Sequence, residues 1–306
     1  MPFFTSTSRR SWRLMAATAT AVAATALTVT PADATPTPTP PPKATTPVVP
    51  SSARQVAPPS HQASLAGMIK LPPECSASLV RYPTSRDKDQ ALMLTNGHCW
   101  EGVFILPGVV LTDQPSSRTG DLLDARGRTV GQVQTDRLLY ATMTGTDIAL
   151  YRLTQTYAEI KRATGIKALT LASTHPVDGR AVTIASGYWQ TTYSCRIDGF
   201  APAVNEAFWT WQDSIRYDPT SGCQLVAGTS GSPIVDDNNG KIVGINNTAN
   251  TDGGSCTLNN PCEINPGGTT TVVKGEGYGQ QTYWITTCLT HNTLDLAKAG
   301  CLLPKP

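Results

Sequence analysis

The 306-residue chain has no excess of charge of either sign, since 24 Lys and Arg stand against 22 Asp and Glu for a formal net charge of +2. Phosphate recognition needs a concentrated basic surface, and no such cluster occurs in the part of the sequence able to fold. Nucleic acid is therefore not expected as a partner. Histidine is scarce, with only His61, His98, His175 and His291, all widely separated, and no Cys-x-x-Cys pair occurs. Without clustered nitrogen and sulfur ligands a zinc site has no basis in the sequence, and neither a metal nor another cofactor is expected. Long hydrophobic runs are missing too. The longest, Leu14 to Val29, is rich in Ala and Thr and is short and weakly apolar for crossing a bilayer, so no stable membrane association is expected. Helical periodicity is scarce, and no internal repeat is evident.

That apolar run instead has the makings of an export signal. Arg9, Arg10 and Arg13 precede it, and Ala32-Asp33-Ala34 follows as a small-x-small cleavage pattern. Ser8-Arg9-Arg10-Ser11-Trp12 also has the look of a twin-arginine signal, so the general secretory and twin-arginine routes both stay open. All eight cysteines follow residue 34; an even number in an exported chain reads as a disulfide framework. Residues 35–62 are dominated by Pro, Thr, Ala and Ser. Such composition cannot bury a core and predicts an extended linker or pro-segment. The folded body is expected to start at residue 63.

Within that body, short β-rich runs alternate with Gly, Asn and Asp turn clusters. Strands are expected at 91–95, 103–106, 129–133, 147–153, 181–185, 232–235, 241–245 and 282–286, with Asp237-Asn238-Asn239-Gly240 as a tight hairpin connection. Two short helices are expected, over 157–165 and over 292–299. Many short strands and few helices predict an all-β sandwich or barrels rather than alternating βαβ units.

Three segments carry chemistry. In Gly228-Thr229-Ser230-Gly231-Ser232-Pro233 a serine sits in a Gly-flanked bend, where its hydroxyl can project and nearby backbone N–H groups can converge on one point, as an oxyanion site requires. In Thr95-Asn96-Gly97-His98-Cys99 a histidine ends an apolar run; a hydroxyl is a poor nucleophile at neutral pH until a base of this kind takes its proton. In Thr146-Asp147-Ile148-Ala149-Leu150 an acid leads into an apolar strand, a placement that costs free energy unless something pairs with it. The free ring nitrogen of His98 would satisfy it.

Together the three segments, in the order His, Asp, Ser, resemble the trypsin/chymotrypsin-like serine peptidase family, including its secreted bacterial branches, over roughly residues 63–299. The resemblance implies two six-stranded antiparallel β-barrels with a short C-terminal helix, the first barrel over 63–165 and the second with the helix over 166–306. It implies Ser230 as nucleophile, His98 as general base and then acid, Asp147 as the group that orients His98, and the N–H groups of Gly228 and Ser230 as the oxyanion hole. Thr229 stands where the animal digestive members carry an acid, and no Ile-Val-Gly-Gly start occurs; a zymogen switch of that kind is not expected. Ser232 is a competing nucleophile that the motif alignment disfavours.

The resemblance further implies a Cys75–Cys99 bridge beside the histidine; of the other cysteines, Cys195–Cys223 would brace the second barrel and Cys256–Cys262 would close a small loop. Cys288–Cys301 is left, and it needs a chain that folds back, since a straight 13-residue helix would hold its ends about 20 Å apart. The specificity pocket maps onto Gln224, Asn246 and Asn247, without the acid expected for Arg or Lys cleavage. The expected activity is that of a secreted, extracellular, monomeric endopeptidase acting on protein or peptide substrates through an acyl-enzyme. The alternative is a catalytically inactive protein that keeps the fold for binding. An esterase of another fold would need Gly-x-Ser-x-Gly and the order Ser, acid, His, which the sequence lacks.

Overall fold

The short apolar runs pair as antiparallel strands in the computed structural model, which describes residues 64–219 and 223–306. The expected export signal (1–34) and linker (35–62) lie outside the described residues. Among the described residues no helix is long and apolar enough to cross a membrane.

The first barrel uses β1 (Met68–Leu71), β2 (Cys75–Arg81), β3 (Gln90–Thr95), β4 (Val110–Pro115), β5 (Thr119–Leu123), β6 (Thr129–Thr142) and β7 (Ile148–Thr156). Strands β1, β5, β6, β7, β3 and β2 lie side by side, and β1 also pairs with β2, which closes six strands into a ring; β4 adds to β6. Helix α1 (Tyr157–Thr164) follows. Its start is a capping box between Thr156 and Glu159, and its end is Gly165 in the left-handed region at φ 76°, the pattern in which side chains and an αL residue satisfy the open backbone groups of a helix. Strand β8 (Leu169–Thr170) then pairs with β2.

The second barrel uses β9 (Ala181–Ser186), β10 (Thr191–Glu206), β11 (Trp209–Tyr217), β12 (Pro233–Asp236) and β13 (Ile242–Ala249). After β14 (Cys262–Ile264) and β15 (Thr270–Thr271), β16 (Gly277–Gln281) completes it. The ring runs β11, β16, β13, β12, β9, β10 and closes where β10 pairs with β11; β14 and β15 extend it from β10. The all-β, two-barrel expectation therefore holds. Inward residues alternate along the strands, as a period of two demands. In β10 Cys195, Ile197, Val204 and Glu206 are all buried. One core cluster joins first-barrel residues such as Leu122 and Tyr151 to Trp209, Trp211 and Tyr278 of the second.

Three expected elements differ. Residues 103–106 form no strand; Val103, Phe104 and Leu106 are exposed, and only Ile105 is buried, where its carbonyl accepts from Trp209 Nε1. The expected strand at 282–286 is instead helix α2 (Tyr283–Thr287), which opens directly after β16. The expected helix at 292–299 does not form. His291 and Asn292 have φ of 49° and 65° and turn the chain into a hairpin of β17 (Leu289–Thr290) and β18 (Thr293–Leu294). That reversal brings Cys288 and Cys301 to a Cα separation of 4.4 Å, where they are bridged. Cys75–Cys99, Cys195–Cys223 and Cys256–Cys262 are also bonded.

Candidate active site

His98 sits in a single turn of 3-10 helix (Gly97–Cys99) directly after β3. Asp147 lies immediately before β7, which pairs with β3, so the two segments meet at the same end of adjacent strands. Gly97 makes the close approach possible, because a Cβ there would collide with the Thr142 carbonyl and reach to 2.8 Å from Asp147 Oδ1. Asp147 is fully buried. Its Oδ1 accepts from the His98 backbone N–H at 2.9 Å, its Oδ2 lies 2.7 Å from His98 Nδ1, and its own carbonyl accepts from Asn96 Nδ2 at 2.9 Å. A carboxylate held in this way favours the tautomer with the proton on Nδ1 and leaves the Nε2 lone pair free. Burial works against a charged imidazole. The Asp147 charge and hydrogen bond, with the Glu206 charge behind them, outweigh it and hold His98 above its ordinary value.

Ser230 comes from the loop between β11 and β12. Among the described residues its hydroxyl makes one hydrogen bond, a donation to the Asn247 carbonyl at 3.2 Å, and none to His98. Hydroxyl and imidazole nonetheless line one cavity of about 90 Å³, together with Asn247, Thr248 and Glu206. Catalytic hydrogen bonds are often open in ligand-free enzymes and tighten once substrate is bound. Gly228, at φ 85°, takes up the left-handed conformation that the bend needs. Neither the Gly228 nor the Ser230 N–H donates to a backbone carbonyl of a described residue. Ser232, by contrast, is completely buried, and its hydroxyl has no hydrogen-bond partner among the described residues.

The loop is held from both sides. Thr229 Oγ1 donates to the Val226 carbonyl at 2.6 Å and accepts from Asn246 Nδ2 at 3.0 Å. From the first barrel, the Ser76 N–H donates to the Ser230 carbonyl at 2.8 Å and Ser76 Oγ to the Gly228 carbonyl at 3.0 Å. Ser76 Oγ also meets Ser186 Oγ and accepts from the Tyr188 N–H. Of the three residues mapped to a specificity pocket, Asn247 lines the cavity, Asn246 lies buried beneath the loop, and Gln224 is exposed and does not line it.

Several contributors carry no local signal in the sequence. Ser76 is one of two serines in a largely apolar strand. Trp209 and Trp211 donate their indole N–H groups to the carbonyls of Ile105 and Met143 and so fasten first-barrel loops to β11. Glu206 is one acid at the end of a long strand. No described cluster offers a metal site: Cys75, His98 and Cys99 lie together, but both thiols are spent in the disulfide.

The sequence model described as "Trypsin-like peptidase domain" matches residues 84–245. No curated protein matches the chain. Among solved structures it is similar to the active form of the Rv3671c protease from M. tuberculosis, at 17% identity and a TM-score of 0.45, over 87% of this chain and 96% of that one. It is also similar to the MamO protease domain from Magnetospirillum magneticum, at 13% identity and a TM-score of 0.46, over 74% of this chain and 98% of that one. A third is the Nocardiopsis protease, at 16% identity and a TM-score of 0.40, over 71% and 90%.

Proposed function

Because the chain belongs to the trypsin-like peptidase family, we propose that it is a secreted serine endopeptidase with His98, Asp147 and Ser230 as its catalytic triad. The observation that carries the reading is the buried Asp147 carboxylate, with one oxygen 2.7 Å from His98 Nδ1, behind an imidazole that shares a cavity with the Ser230 hydroxyl.

In the reaction, a bound peptide displaces the Ser230 hydroxyl from the Asn247 carbonyl and turns its proton toward His98 Nε2. His98 takes that proton as Ser230 Oγ attacks the peptide carbonyl. Asp147 keeps the imidazole in register and stabilises its charge without becoming protonated. The Gly228 and Ser230 N–H groups face the developing oxyanion, the charge against which preorganised donors lower the barrier most. His98 then gives its proton to the leaving amine, and an acyl-enzyme on Ser230 remains. Water activated by His98 releases the second product. Export to an oxidising compartment suits the four disulfides.

The test is labelling of the oxidised protein with a fluorophosphonate probe, mapped by peptide mass spectrometry, beside cleavage of a denatured protein substrate. The expected result is an adduct on Ser230 that is absent from His98→Ala, and cleavage that Ser230→Ala loses. Folded protein that neither takes the probe nor cleaves would overturn the peptidase reading in favour of a binding protein that keeps the fold.

A further inference from the structure

The two backbone N–H groups proposed to face the oxyanion are held in different ways. A peptide plane carries its N–H and its C=O on opposite edges, so whatever holds the carbonyl also aims the N–H. The Ser230 N–H shares a plane with the Thr229 carbonyl, which accepts from the Ser232 N–H at 3.0 Å; backbone fixes that donor. The Gly228 N–H shares a plane with the Ala227 carbonyl. Among the described residues that carbonyl has one partner, the indole Nε1–H of Trp189 at 2.7 Å.

The 227–228 plane is also the one that can turn over. Residues 226–229 form a β-turn closed by the Thr229 N–H, which donates to the Val226 carbonyl at 3.1 Å. Gly228 in its third position, at φ 85°, makes the turn type II. A type I turn keeps the same closing bond and differs in the middle peptide, rotated by about 180°. That rotation would carry the Ala227 carbonyl to the side the N–H now faces and set an acceptor where negative charge develops. Residue 228 does not oppose it, since glycine takes either sign of φ readily. Nor can a larger residue stand there, because a Cβ would come within 2.6 Å of the Tyr188 ring and 3.0 Å of Trp189 Nε1. The Ser76 hydroxyl holds the Gly228 carbonyl, which lies in the next plane. The indole is the side chain that bears on the choice between the two turns.

Trp189 is itself held in place. It sits in the β9–β10 connection, where its backbone N–H donates to Ser186 Oγ at 3.1 Å and the Tyr188 N–H donates to Ser76 Oγ at 3.1 Å. Its ring stands edge-on to Tyr188 at 5.0 Å between centroids. Resting on the peptidase reading, we infer that Trp189 is a positioning residue for the oxyanion hole: by holding the Ala227 carbonyl, its indole N–H keeps the Gly228 N–H turned toward the oxyanion. It acts through the backbone and not by contact with the reacting atoms. The ring is half-exposed, so water competes for the carbonyl and the bond biases the turn without locking it.

Trp189→Phe keeps a ring beside Gly228 and removes the N–H. On a fluorogenic peptide that the wild type cuts, kcat is expected to fall about tenfold with KM unchanged, less than the ~10²–10³ lost when an oxyanion donor is removed outright. A trifluoromethyl ketone of the same peptide sequence closes on Ser230 as a tetrahedral adduct with a charged oxygen, and its affinity is expected to weaken by the same factor. Binding of the plain peptide, titrated calorimetrically into Ser230→Ala with and without Trp189→Phe, is expected not to change. A tryptophan with a structural role alone would lower the melting temperature and leave kcat and ketone affinity as they are; that result, or a raised KM with kcat intact, overturns the inference. A second variant removes the dependence on ring shape and on the folding of the first. It carries 3-benzothienylalanine at position 189, with sulfur in place of the N–H in a ring of the same outline. The same losses are expected, and wild-type kcat and ketone affinity in this variant overturn the inference. A failed peptidase reading is recognised separately, in a wild type that neither takes the fluorophosphonate probe nor cleaves.

Discussion

At the scale of single residues, the proposed chemistry rests on how Asp147 holds His98. A fully buried carboxylate that accepts from both the ring and the backbone of the histidine fixes the tautomer as well as the charge. Asp147→Asn keeps the shape and loses both, and kcat is expected to fall by about 10⁴-fold, measured with any peptide the wild type cuts. The same pair sets the pH dependence. In the proposed triad only the neutral imidazole accepts the Ser230 proton, so activity is expected to rise with pH as His98 deprotonates. Because the surrounding acids hold His98 above its ordinary 6.5, the acid limb of kcat/KM is expected above that value. In Asp147→Asn the residual activity should show the limb displaced to lower pH; a limb that does not move would detach the profile from His98.

At the scale of elements, the serine loop depends on a strand of the other barrel. Ser76 in β2 donates to the carbonyls of both Gly228 and Ser230 and meets Ser186 and Tyr188 through its hydroxyl. Ser76→Ala keeps the backbone bond to Ser230 and removes the others. It is expected to cost about 1–3 kcal/mol of stability, the range for buried polar groups left unpaired, and to slow fluorophosphonate labelling of Ser230 below the midpoint of unfolding. Thermal denaturation and labelling rate together check this, and loss of stability with an unchanged rate would mean the loop does not need that hydroxyl. The C-terminal elements show the reverse situation, a local pattern that tertiary contacts override. Residues 292–299 have helical spacing, but Asn292 at positive φ and the bridge from Cys288 to Cys301 require a hairpin.

At the scale of the whole molecule, the second barrel carries a pH-sensitive charge cluster. The Arg216 guanidinium lies 2.8 Å from Asp198, 3.2 Å from Glu263 and 3.5 Å from Glu276. Burial, reinforced by the Asp198 charge and only partly relieved by Arg216, pushes the Glu276 carboxyl up to about 7 from 4.5. A carboxyl raised in the folded state holds its proton there more tightly than in the unfolded chain. Its contribution is therefore neutral below about 4.5 and becomes a penalty as pH climbs to about 7, of order 3 kcal/mol in full. Glu276→Gln removes the penalty. Its melting temperature should match the wild type near pH 4.5 and exceed it increasingly up to pH 7, followed by scanning fluorimetry across that range. A gap that stays constant with pH would place the ionisation elsewhere.

What the sequence by itself determined is whatever is written in neighbouring residues. The period-two runs and turn clusters are local, so an all-β sandwich or barrels was legible, with two barrels implied by the family resemblance, as were a short helix at 157–165 and the Asp237–Gly240 turn. His98, Asp147 and Ser230 stand out because each interrupts an apolar run or sits in a glycine bend, a short pattern with a chemical reason. Tertiary structure alone decided the rest. Ser76, Trp209, Trp211 and Glu206 matter through partners distant in sequence: Ser76 meets Gly228, and Glu206 faces a cavity whose histidine lies on the first barrel. Gln224 is exposed and Asn246 lies under the loop because the closure of the barrel, not the distance from Ser230 along the chain, sets which side chains face the cavity. Burial and long-range pairing are properties of the closed barrels, and no window of sequence contains both sides of them.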